Sequence, residues 1–249
     1  MIVVGVKADI SAAIAKCNRL AKSQVPFATA LALTRAAQKT KARLVEEMQR
    51  DFDRPTPFTL NSLRVDAATK QDLRAKVYFK DFAGSGTPAG KYLAPEIYGG
   101  PRHAKGFERA LQRAGILPSN WYCIPTDGAP LDQYGNVPAG VIVRIMSQLQ
   151  AFGEQGYSMN ETAALRAKRQ RRPEGRYFAV TPNNQPTNNL RPGIYERISG
   201  NLSMIFVFTS KQPEYRERFP FFEVGEATAR AEFQVQFPQA LEQALATAK

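Results

Sequence analysis

Between Gly84 and Gly100 the chain reads GSGTPAGKYLAPEIYGG, with glycines and a lysine close enough together to raise the chemistry of phosphate binding. A P-loop needs G-x-x-x-x-G-K-[ST], because its amides wrap the phosphates and its hydroxyl meets a magnesium ion. Counting back from Gly90-Lys91, the first glycine position holds Ser85, the hydroxyl position holds Tyr92, and Pro88 removes one of the amides. The segment is not a P-loop. Gly84, Gly86 and Gly90 also lack the spacing of a dinucleotide fingerprint, and no acidic residue stands at the distance that motif requires. What remains is conformational freedom. Gly84, Gly86, Gly90 and Lys91 read as a flexible, partner-contacting loop spanning 84–100.

Other catalytic arrangements find little support. The chain has a single histidine, His103, between Arg102 and Lys105, and no G-x-S-x-G elbow that would let it serve a nucleophile. A lone histidine cannot build the usual histidine-rich zinc site, and the two cysteines, Cys17 and Cys123, read as ordinary thiols of a reducing compartment. Carboxylates are scattered and often followed by arginine, as in FERA, YERIS and YRERF, which suggests surface pairs of modest worth. The residues therefore point away from an enzyme, and they call for no metal and no cofactor.

The strongest local charge is LRAKRQRRPEGR, where Arg166, Lys168, Arg169, Arg171, Arg172 and Arg176 face only Glu174. Such a run engages an anionic partner, either nucleic acid through its phosphates or an acidic protein surface, and the sequence leaves both open. On DNA, each phosphate neutralised should add roughly −0.9 to the log–log salt slope. No aromatic residue interrupts the run, so any nucleic-acid contact would be non-specific.

Positioning these residues requires a folded chain, and the composition is that of one. Of 249 residues, 43% are hydrophobic, and 34 Lys and Arg against 22 Asp and Glu leave a formal charge of +12. That balance, with a pI near 9.8, attracts polyanions over long range. No apolar run reaches the ~20 residues of a membrane-spanning helix, and the N-terminus carries no secretion signal. Apolar spacing predicts a helical N-terminal part over 1–50, divided at Pro26 into a shorter helix and a long one that buries Ala30, Leu31, Ala37, Leu44, Val45 and Met48. Strands are expected at 60–65 and 73–80, paired through the intervening turn, and again at WYCIPT, YFAVT, GIYERIS and MIFVFTS. Helices are expected up to Gly115, over VPAGVIVRIMSQLQAF, and over 225–247, where Pro238 should kink or divide the last of them. The reading is one α+β domain over 1–249, with an antiparallel or mixed sheet packed against the long N-terminal helix and extended loops at 84–100 and 153–175.

The order of FDRPTPFTLNSL, VYFKD, GTPAGKYLAPEIYGGPRHAKGFERAL, LDQYGNVPAG, PGIYERI and FVFTSKQPEYRERFPFFE resembles that of the minor tail protein Z family of tailed phages, also described as tail completion proteins. The likeness is densest over 52–140 and 176–223. It implies a structural component of the virion neck or tail, made in the host cytoplasm, that completes the tail or joins head to tail as a subunit of a homo-oligomeric ring around the DNA exit channel. Its implied partners are other copies of itself, portal, neck or tail proteins, and viral DNA through non-specific phosphate contacts. The same resemblance accommodates an adaptor seated directly on the portal. A nucleic-acid-binding protein outside the particle is the more distant reading.

Overall fold

The computed structural model describes residues 11–82, 86–153, 159–170, 175–182 and 189–247, and gives the backbone alone for 11–21 and Gln170. The fold is α+β, and the chain divides into two compact units instead of the single domain expected from sequence. One unit joins 1–97 to 217–249, and the other is the continuous stretch Tyr98–Arg216.

The first unit is built on two long helices, α1 (Ser11–Asp51) and α7 (Phe221–Ala246), that run antiparallel. Ala28 and Ala32 meet Ala240 and Ala244 in a fully buried seam, flanked by Phe27, Leu31, Phe233, Phe237 and Leu241. Small side chains there bring the helix axes close, and the aromatic residues beside them supply the apolar area. Pro26 does not divide α1, contrary to the sequence reading, and α7 runs continuously through Pro238. A proline removes one backbone hydrogen bond and crowds the preceding turn. In α7 the apolar face continues past Pro238, from Phe233 and Phe237 to Ala240, Leu241 and Ala244, and packing there outweighs that loss.

Farther along, α1 covers a hairpin of β1 (Leu63–Asp66) and β2 (Lys76–Phe79), paired antiparallel with Leu63 opposite Phe79, as the sequence led us to expect. The strands are shorter than predicted, and Leu73, within the strand expected over 73–80, lies outside β2 and is exposed. A single helical turn, α2 (Pro57–Leu60), precedes the hairpin and is capped by Thr56, whose hydroxyl accepts from the Thr59 N–H. The core gathers Leu44, Met48, Leu63, Ala89, Leu93, Ile97 and Phe219.

Ala89, Leu93 and Ile97 belong to α3 (Ala89–Tyr98), and this corrects the loop assigned to 84–100. Their four-residue spacing is the helical signal that the glycines obscured. Gly90 is not a hinge: a Cβ there would stand 3.1 Å from that of Phe79, so the glycine allows close packing. The Glu96 carboxylate of α3 accepts from Arg218 Nε at 2.7 Å, and its carbonyl accepts from the N–H groups of Arg218 and Phe219. The YRERF arginine is thus a cross-link between segments 122 residues apart.

The second unit is a four-stranded antiparallel sheet in the order β4 (Tyr122–Pro125), β7 (Asn201–Thr209), β6 (Gly193–Ile198), β5 (Arg176–Val180). A small ladder of β3 (Gly100–Pro101) with β8 (Glu214–Tyr215) closes the start and end of this unit on each other. The helices α4 (Gly106–Arg113) and α5 (Ala139–Gln148) lie over the sheet, their Leu111 and Ile145 packed with Ile194, Ile205, Phe206 and Phe208. A third helix, α6 (Ala163–Gln170), stands within the stretch 153–175 expected to be an extended loop.

Glu108 on α4 is fully buried, not the exposed partner that FERA suggested. It accepts two hydrogen bonds from Arg102, at 2.6 and 2.7 Å, and others from the backbone N–H groups of Lys105 and Cys123 at 2.7 and 2.8 Å. Tyr122 lies against the Arg102 guanidinium at 5.2 Å. Burial pushes the Glu108 carboxyl up, but Arg102 and the two N–H donors together outweigh it and leave the carboxyl below its ordinary value. The Cys123 thiol is pushed well up by burial and by the Glu108 charge beside it.

Two glycines of this unit are expected to respond oppositely to alanine. A Cβ at Gly193 would collide with the carbonyl oxygen of Phe206, whereas one at Gly140, near the start of α5, meets nothing within 4 Å. Gly193→Ala should cost about 1–3 kcal/mol. Gly140→Ala should instead stabilise by ~0.5–1 kcal/mol through helix propensity. Urea denaturation of both variants beside the parent checks the pair of signs.

Candidate functional site

The only predicted site residues that the described structure gathers are three arginines, and it does so by bending the chain sharply after α5. Gln150 adopts φ +57°, and Asn160 holds the return by donating to the Phe152 carbonyl and accepting from its N–H. Glu161 is then fixed to the end of α5 through its own N–H to Ser147 and its carbonyl, which accepts from Gln150 Nε2 at 2.9 Å. Thr162 follows and accepts the Leu165 N–H on its hydroxyl, as helix-capping residues do, so α6 starts from a determined point.

Arg166 and Arg169 are three residues apart and share one face of α6. Arg176 opens β5, which is tied to α5 because the Tyr177 N–H donates to Gln148 Oε1 at 2.7 Å. Together these elements enclose a cleft of about 380 Å³ whose walls include Arg166, Arg169, Arg176, Gln148, Glu161 and Tyr177. Among the described residues, one carboxylate faces three guanidiniums. Glu161 is 8% exposed and pairs with Arg169 Nε at 2.9 Å. Arg166 and Arg176 have no carboxylate within ion-pairing distance among the described residues, and both are exposed. The Nε2 of Gln148 is buried without a hydrogen-bond acceptor, an unmet donor in the wall of a basic cleft. Burial and the Glu196 carboxylate push the Tyr177 phenol up to about 12, so it stays protonated and neutral at ordinary pH.

The other predicted residues lie elsewhere. Lys168 is exposed on α6 but does not line the cleft. Arg171, Arg172 and Gly84 fall outside the described residues. Gly86 has φ +88° and open space around it, and Lys91 is exposed on α3. His103 is exposed as well. Among the described residues no group of His, Cys, Asp or Glu is placed to hold a metal ion, and no helix is long and apolar enough to cross a membrane.

Gln148 and Glu161 were not foreseen. Neither has a sequence signal of its own, since each joins the cleft through the return that Asn160 clasps. No protein-family model, no curated protein and no solved structure matches the chain.

Proposed function

We propose that this protein is a structural subunit of a tailed-phage particle, which completes the tail or joins head to tail as one member of a ring around the DNA exit channel. The observation supporting it is that the chain carries two unlike exposed surfaces on its two units. On the first unit, Phe58 and Phe82 are 49% and 81% exposed beside a small groove that Pro57 and Ala89 also line. On the second, the arginine cleft concentrates positive charge. A ring built by head-to-tail contacts needs each subunit to offer two different faces, and a chain serving only as a scaffold has no need of catalytic groups. The motif order quoted from 52 to 223 agrees with that role.

Quantitative mass spectrometry of density-banded particles, with the portal protein as internal standard, tests it. A tail-completion ring should give about half the portal copy number, and an adaptor on the portal about the same number. Absence from purified particles would overturn the proposal and favour a nucleic-acid-binding protein acting outside the particle.

A further inference from the structure

We infer that the cleft between α5, α6 and β5 is a binding site for a backbone phosphate of nucleic acid, with Arg166, Arg169 and Arg176 as its charged donors. This rests on the cleft alone and holds whether or not the chain is a particle subunit.

Guanidinium groups reach the cleft from two elements, α6 and β5. A planar carboxylate is satisfied by the fork of one arginine, whereas a tetrahedral phosphate accepts donors from several directions at once. Arg169 already has a carboxylate, Glu161, bound through Nε. Arg166 and Arg176 have none among the described residues, and neither does the buried Gln148 Nε2 have an acceptor. The volume of about 380 Å³ suits a phosphate with part of its sugar. The formal charge of +12 would draw a polyanion toward the site.

The test is fluorescence anisotropy of the full-length protein with a labelled DNA duplex over a potassium chloride series, comparing the parent with R166Q/R176Q. Both arginines are exposed and make no ion pair among the described residues, so the variant should fold, and circular dichroism checks that it does. K22Q/K211Q removes the same charge from exposed lysines that do not line the cleft. R166Q/R176Q should weaken binding roughly tenfold or more and reduce the salt slope by about one for each phosphate no longer neutralised. The lysine variant should change the slope little. Equal losses in the two variants would overturn the inference, since charge alone would then explain binding. Unchanged binding in a folded R166Q/R176Q would also overturn it, and would leave an acidic protein surface as the partner of this cleft.

Discussion

Glu108→Ala should destabilise the second unit by about 3–5 kcal/mol, the usual cost of leaving one member of a buried ion pair behind. The substitution strands the Arg102 guanidinium and, with it, the N–H groups of Lys105 and Cys123, all of which that carboxylate serves. A loss of that size should lower the thermal midpoint by roughly 10 °C or more, readable by calorimetry. Glu108→Gln keeps the shape and one acceptor oxygen and should fall between alanine and the parent. A double-mutant cycle with Arg102→Leu should show strong coupling, because both side chains belong to one network. The pH dependence follows from the direction of the shift. Since the folded carboxyl lies below its unfolded value of ~4.3, its contribution is complete above that pH and is lost as pH falls through the folded value. Acid should therefore destabilise the parent more steeply than Glu108→Ala, and unfolding followed from neutral pH down to pH ~3 would show the difference.

The second large effect is expected at Phe219. Its side chain is 0% exposed and packs among Leu44, Met48, Leu63, Leu93 and Ile97. Its ring lies 5.4 Å from that of Phe52 and 5.9 Å from that of Phe221. Phe219→Ala should cost about 3–5 kcal/mol through lost burial and the cavity left behind. The neighbouring Phe222 is 54% exposed and gives the comparison: Phe222→Ala should change stability far less. A denaturation midpoint for each variant settles the contrast, and comparable losses would show that burial does not govern this segment.

Periodicity made the fold class and most elements legible. Val141, Ile142, Ile145, Met146 and Leu149 pack against the core as their helical spacing predicts, although α5 ends at Gln148, short of Phe152, and the pairing of β1 with β2 follows from alternation on either side of one connection. The failures have physical causes. Pro26 signalled a break, yet α1 runs through it, and the glycines around 84–100 concealed the four-residue spacing of Ala89, Leu93 and Ile97. At the site, Arg166, Arg169 and Arg176 were legible as charge, but their convergence was not. It depends on Asn160 clasping Phe152 and on the Gln148–Tyr177 hydrogen bond, which joins residues 29 positions apart. Glu108 was misjudged as half of a surface pair because a Glu-Arg pattern carries no information about depth.

The division of the chain into a continuous unit and a split one also sets an order of events during synthesis. Everything that Tyr98–Arg216 needs has been synthesised before α7 is made, and the ladder of β3 with β8 can close that unit upon itself. The first unit has no such independence. The seam of Ala28 and Ala32 lacks Ala240 and Ala244, and the core around Leu44 lacks Phe219, until residues beyond Glu217 emerge. For that interval α1 carries an uncovered apolar face on the nascent chain, where a chaperone could hold it or a neighbouring chain's α7 could take the vacant place.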